Sequence, residues 1–350
     1  MSTYKLVSER IQIEDSMDAV NNLFYEHGWT DGLPIIPPTE ERVQRMLSAV
    51  DSDPQEVVAV LPPRLAEATV EKIAVNAVMA GCLPDYLAVI ITAVGAIAEE
   101  EFGLPGVQAT THPCGPLIVV NGPIAKKLGL NSRGNAFGPG VRANATIGRA
   151  LSLILINIGG AIPIQIDRST QGQPAKYTYC VAENEEENPW QPLHVEKGFS
   201  PDDSTVTVFA AEGPHNINDH DSTTGRGILM TAAATMATAG NNNLVFFSGE
   251  PILMLGPEHA ATVARDGFSK EQIKDFLFEH ARLPLKMLSE ENIQCRKKLP
   301  DRYGEFVDSE MIPVARREDF VVMVLGGAGK HSCFVPTFGL SYSMTKKIYL

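Results

Sequence analysis

Cysteine, basic runs and long apolar stretches are what this sequence has least of, and each shortage excludes something. Cys82, Cys114, Cys180, Cys295 and Cys333 are an odd, widely spaced set without a CxxC pair, which argues against a disulfide framework. The apolar stretch LAVIITAVGAIA is too short to span a membrane, and LSLILINIGGAIPIQI is broken by glycine and proline. The N-terminal MSTYKLVSERIQIEDSMDAV lacks the apolar segment of a signal peptide, so reduced thiols in a cytoplasmic protein are expected. No Lys/Arg-rich run interleaved with aromatics occurs. With 29 basic against 42 acidic residues the net charge is -13, which repels nucleic acid and anionic lipid, so neither is an expected partner. Several catalytic signatures are also missing. There is no HExxH helix and no GxSxG elbow, and the glycine loop GGAGKHS is not a phosphate loop of the GxxxxGK[ST] type, because Val324 and His331 stand where glycine and Ser/Thr are required.

What remains is ample for a folded core: 350 residues, 44% hydrophobic and only 20% charged. Residues 15–26 have the pattern of an amphipathic helix. GWTDGLPIIPPTEERV then makes a turn, with Trp29 read as a packed aromatic and Asp31 as a turn carboxylate, before Thr39 opens a second helix. Beyond this arm (residues 1–54) the pattern alternates strand and helix, which predicts an α/β fold. Two runs match, PLIVVNGPIAKKLG and PILMLGPEHAATVARDG. Each is an apolar strand, a Gly-Pro, and a helix start where proline's missing N–H costs nothing. They predict two related modules, 55–200 and 201–300, in a pseudo-two-fold arrangement, followed by a C-terminal strand-loop segment, 301–350. Within them AEATVEKIAVNAVMAG reads as helix, VQATTHPCG and LVFFSGE as extended, STVTVFAAEGP as the first strand of the second module, and Ser269 with Gln272 as a capping box.

Three polar constellations are candidate sites. The turn HPCG places His112 two residues from Cys114, a spacing that shares one face on a strand; an imidazolium beside a thiol lowers its pKa, so the pair is a candidate for nucleophilic and proton-transfer chemistry. If the modules face each other, this turn and SGEP (Ser248–Glu250) line one cleft. The stretch 130–150 sets Asn131, Arg133, Asn135, Arg142 and Asn144 among glycines at a helix start, a pattern suited to a carboxylate or phosphate. Lys330, His331 and Ser332, after the glycine turn, are further substrate-binding candidates. Finally, Glu183 in ENEEE with His215, Asp219 and His220 forms a candidate set for Zn²⁺, Mn²⁺ or Fe²⁺, so the cofactor left open is a divalent metal ion. Without a metal, His215 and His220 are candidate general acids or bases, and ENEEE reads as a solvated charge run.

Taken together, GWTDGLPIIPPTEERV, NAFGPGVRANATIGRAL, YTYCVAENEEENPWQPLHVEKGF and GPEHAATVARDGFSK resemble a poorly characterised bacterial family over nearly the whole chain. Some of its members are associated with a UGSC-type (seleno)cysteine redox domain. The resemblance implies thiol or selenol chemistry in a multi-part enzyme. This chain has no GSC run, so that group would sit on a redox partner protein.

The resulting expectation is a cytosolic, homo-oligomeric enzyme or enzyme component that cleaves or reduces a carbon–heteroatom bond of a small anionic metabolite in a cleft between modules. A metal-dependent hydrolase or lyase and a non-catalytic subunit of a redox enzyme are the alternatives.

Overall fold

The computed structural model describes residues 4–306 and 308–349. Two four-stranded mixed sheets form its centre. The first is ordered Met344–Lys347, Thr205–Ala211, Gly115–Asn121, Cys180–Ala182, and the second Val321–Val324, Ile252–Leu255, His331–Val335, His215–Asn218. The two matched strand–Gly-Pro runs supply the inner strands Gly115–Asn121 and Ile252–Leu255. Each has one parallel neighbour and one antiparallel neighbour. The chain also exchanges strands between the sheets. Thr205–Ala211 of the first leads into His215–Asn218 of the second, and His331–Val335 of the second is followed by Met344–Lys347 of the first.

Strand alternation explains the layering. Leu117, Val119, Val181 and Phe209 of the first sheet share a buried cluster with Ile252, Met254, Val321 and Met323 of the second. Their sequence neighbours Ile118, Val120, Val206 and Val208 instead pack with Ile73, Ile90 and Ile147 from the helices Val70–Ala80, Leu87–Ile97 and Arg142–Ile154. Leu253, Leu255, Val322 and Val324 pack with Ile228, Val263 and Ile273 from Gly225–Met236, Pro257–Arg265 and Lys270–His280. The order is helices, sheet, sheet, helices. Strands buried on both faces read as continuous apolar runs for this reason, and each such side chain contributes roughly 1.5–3 kcal/mol of burial.

The helix ends follow the sequence closely. Thr39 and Thr69 cap their helices, and the Ser269–Gln272 capping box is formed. Four local readings are corrected. AEAT is a strand, Ala66–Thr69, paired with Val57–Leu61, and the helix starts only at Val70. VQATTHPCG is not extended throughout, because Leu104–Ala109 is a helix. LVFFSGE is not a strand; Asn242–Phe246 is a short helix capped by Asn241. Thr205–Ala211 pairs with Gly115–Asn121 in the first sheet, with Val208 opposite Ile118, rather than opening the second. Among the described residues no helix is long and apolar enough to cross a membrane.

Candidate functional site

A cavity of about 600 Å³ lies beside the start of strand Gly115–Asn121. Its wall begins where helix Arg142–Ile154 runs into a wider turn, Leu155–Gly159, stopped by Gly160 in the left-handed region at φ 80°. Residues 161–179 then form a long irregular connection containing Pro163 and Pro174, which returns to strand Cys180–Ala182. Val107, Leu155, Ile156, Ala161 and Pro163 make the cavity mainly apolar.

Lys176, Asp167 and Asp31 are the charged residues of its lining. Lys176 Nζ donates to Ser169 Oγ and to the Cys114 carbonyl, both at 3.0 Å, and forms an ion pair with Asp167 Oδ2 at 2.8 Å. Ser169 Oγ also lies 2.8 Å from Asp167 Oδ1 and 3.1 Å from the His112 carbonyl. The irregular connection is thereby stitched to the HPCG turn. Two glutamines line the same space. Gln108 Nε2 donates to the Pro62 carbonyl at 2.7 Å and Gln173 Nε2 to the Ala211 carbonyl at 3.2 Å. Carbonyls only accept, so both amides are held in one orientation, and each Oε1 has no hydrogen-bond partner. Asp31 closes another side of the cavity, gripped by Arg149 of the long helix.

Cys114 lines this cavity, but His112 and Cys114 do not form the expected pair. His112 Nε2 donates to Glu212 Oε1 at 2.6 Å, the ring stacks on Phe338 at 5.5 Å between centroids, and Nδ1 has no partner. The Cys114 thiol instead points to the Val107 carbonyl at 4.0 Å. Cys114 is 1% exposed, and burial pushes its thiol up to about 12. Strand alternation is lost at the turn, and two-residue spacing no longer places the side chains together. The HPCG and SGEP turns do approach the same segment. Phe338 stacks on His112, while Asn243 Nδ2 bridges the Ser248 carbonyl and Thr337 Oγ1 at 3.0 and 2.9 Å.

The glycine-rich arginine loop lies away from the cavity. Arg142 begins the helix whose residue Ser152 lines the cavity, a separation of about 15 Å along the axis at 1.5 Å per residue. Its polar groups are spent on the loop itself or on neighbouring segments. Asn144 Oδ1 accepts from Asn131 N at 2.8 Å, and its Nδ2 donates back to the Asn131 carbonyl at 2.9 Å. Asn135, at φ 61°, donates to the Pro139 carbonyl. Arg133 pairs with Glu186, and Arg142 donates twice to the Gly81 carbonyl at 2.9 and 2.7 Å. The two guanidinium groups therefore do not converge on one anion. The loop meets the glycine turn instead, where Gly326 N donates to the Ser132 carbonyl at 2.9 Å.

The proposed metal set is also dispersed. Glu183 is buried, not solvated: its carboxylate accepts from Asn121 Nδ2, Leu193 N and Asn188 Nδ2, and its carboxyl is raised by burial despite Lys270. Asp219 accepts from Thr231 Oγ1 at 2.6 Å and Ser222 N at 2.9 Å. His215 is exposed on its edge strand. Among the described residues, no group of three or more His, Cys, Asp or Glu side chains converges to hold a metal. Lys330 Nζ donates to the His220 carbonyl at 2.8 Å, and Ser332 Oγ is buried against His259 Nδ1 at 2.8 Å. His220 and His331 do come together, with Nε2 atoms 3.1 Å apart.

Lys176, Asp167, Gln108 and Gln173 were not singled out by sequence motifs. The available signal was the length of 161–179, a connection between helix and strand whose regular structure is limited to the single 3-10 turn Pro174–Lys176 and one bridge, Pro163 to Asp167; such long connections are uncommon in compact domains outside functional loops.

The fold and cavity define a four-layer α/β protein with a lined, mainly apolar pocket at one end of its paired sheets. No family model, no curated protein and no solved structure matches the chain.

Proposed function

We propose that the protein is an enzyme acting on a small molecule with an apolar body and an anionic head, bound in the cavity beside Lys176. The supporting observation is the placement of one ammonium–carboxylate pair in the wall of an apolar space of about 600 Å³, a size and lining typical of small-molecule sites. An incoming carboxylate competes with Asp167 for Lys176 Nζ, and the apolar surroundings strengthen that attraction relative to water. Asp167, displaced from the ammonium, is then a carboxylate base next to the bound molecule, and Lys176 an acid at its head. Proton transfer of this kind serves the cleavage of a carbon–heteroatom bond. Thiolate chemistry by Cys114 is disfavoured, since burial holds the thiol at about 12. A reductive reaction would draw its thiol or selenol from a partner protein.

The test is a calorimetric and thermal-shift screen of small aliphatic and aromatic carboxylates against their neutral amides. Carboxylates are expected to bind and raise the melting temperature, the amides to do so weakly, and Lys176→Met to remove the difference. Equal binding of both series, or full binding by Lys176→Met, would overturn the assignment.

A further inference from the structure

The pair His220–His331 lies outside the cavity and is not used by the proposed chemistry. We propose that it is a two-histidine site for a divalent transition-metal ion of the zinc type. Four observations carry this.

The two Nε2 atoms face each other at 3.1 Å. Two imidazole nitrogens bound to one tetrahedral Zn²⁺, each at about 2.0 Å, stand about 3.3 Å apart. The histidines therefore already hold nearly the spacing that chelation requires.

The rings are edge-on, with planes at 81° and centroids 4.9 Å apart. The rings are therefore not stacked face to face, and their Nε2 atoms are the ones that meet.

His331 Nδ1–H donates to Asn216 Oδ1 at 3.0 Å. This fixes the tautomer and leaves the lone pair on Nε2, the nitrogen directed at His220. Histidines that bind metals are commonly oriented by such a bond through the opposite ring nitrogen.

The fold holds both donors from separate, well-supported elements. His331 opens strand His331–Val335, opposite Asn218 of the edge strand His215–Asn218. His220 follows that edge strand in a turn fixed by Asp219, whose side chain is bonded to Thr231 and Ser222 and whose carbonyl lies 3.0 Å from buried His259 Nε2. The neighbouring Lys330 turns its ammonium to the His220 carbonyl at 2.8 Å, and Glu258 sits against Gly329 N at 2.7 Å.

Imidazole is a favoured ligand of Zn²⁺, Ni²⁺ and Cu²⁺ and a poor one for Mg²⁺ or Ca²⁺. Both rings are exposed, so the remaining coordination positions are open to water or to an anionic ligand.

The experiment titrates untagged, chelator-treated full-length protein with Zn²⁺ by isothermal calorimetry and repeats it with Mg²⁺. One Zn²⁺ per chain is expected, with no comparable Mg²⁺ binding. His220→Ala and His331→Ala should each weaken Zn²⁺ binding by about tenfold or more, and Asn216→Leu by about 10–100-fold through loss of the orienting bond. His27→Ala, at an exposed site in the arm, should bind as the parent does. Circular dichroism and melting temperature of the apo variants separate a lost ligand from a lost fold. The proposal is overturned if the parent binds no Zn²⁺, if it binds Mg²⁺ as well as Zn²⁺, or if folded His220→Ala or His331→Ala binds Zn²⁺ like the parent.

Discussion

Arg149 holds Asp31 with two guanidinium nitrogens, Nε at 2.8 Å and Nη2 at 2.9 Å, and the same Nη2 reaches the Pro34 carbonyl at 2.9 Å. One side chain of the long helix thereby fastens the N-terminal arm over the cavity. Burial works to raise the Asp31 carboxyl, but Arg149, the Leu33 N–H and Thr30 outweigh it and leave it below its ordinary 3.8. A carboxyl lowered by folding stabilises the native state fully above the unfolded value. That contribution disappears as pH falls through the lower folded value. Both side chains are largely buried, so Arg149→Met strands a carboxylate and is expected to cost about 3–5 kcal/mol at pH 7. Urea unfolding should show this gap between variant and parent at pH 7 and a shrinking one as pH falls below 3.8 and through the lowered folded value, where protonation removes the pair. A gap of constant size across that range would remove Arg149 from this role.

The thiols divide by burial. Burial pushes Cys82 and Cys114 up to about 12 and raises Cys180 as well, whereas Cys295 is exposed. Iodoacetamide applied to the folded protein should modify Cys295, and Cys82, Cys114 and Cys180 only after denaturation, as read by peptide mass spectrometry. Labelling of Cys114 as fast as Cys295 would restore the thiol to the candidate mechanism.

Gly148 sits inside helix Arg142–Ile154, where alanine ordinarily gains about 1 kcal/mol. A Cβ there would stand 2.4 Å from Tyr179 N, in the segment entering strand Cys180–Ala182. Backbone cannot yield as a flexible side chain can, and overpacking costs about 1–3 kcal/mol or more. The clash outweighs the propensity gain, so Gly148→Ala should lower stability by about 1–2 kcal/mol in chemical denaturation. An increase in stability would mean that helix and strand are less tightly packed than this.

Ile164, at the outer turn of the irregular connection, has φ 71° and is 89% exposed. A β-branched residue in the left-handed region stores roughly 1–2 kcal/mol of strain that its exposed side chain does not offset by packing. Ile164→Gly relieves that strain and gives back part of it as unfolded-state entropy, so a net stabilisation of about 0.5–1 kcal/mol is expected. Thermal unfolding measures it directly, and a lower melting temperature would count against the strain argument.

Sequence alone determined what depends on near neighbours: the caps at Thr39 and Ser269, the Gly-Pro helix starts, and the doubly buried inner strands. Each of these is settled within a few residues by hydrogen-bond geometry or by side-chain alternation. Short elements such as Ala66–Thr69 and Asn242–Phe246 went unread because a few residues carry too weak a local preference to outweigh their tertiary surroundings. The site was decided by tertiary structure. His112 meets Glu212 across 100 residues, Lys176 reaches back to Cys114, and Arg133 and Arg142 are spent on Glu186 and the Gly81 carbonyl. The chemistry open to a charged or titratable side chain depends on which partner and how much water stand next to it. Folding brings that partner from a distant part of the chain, so no local pattern records it.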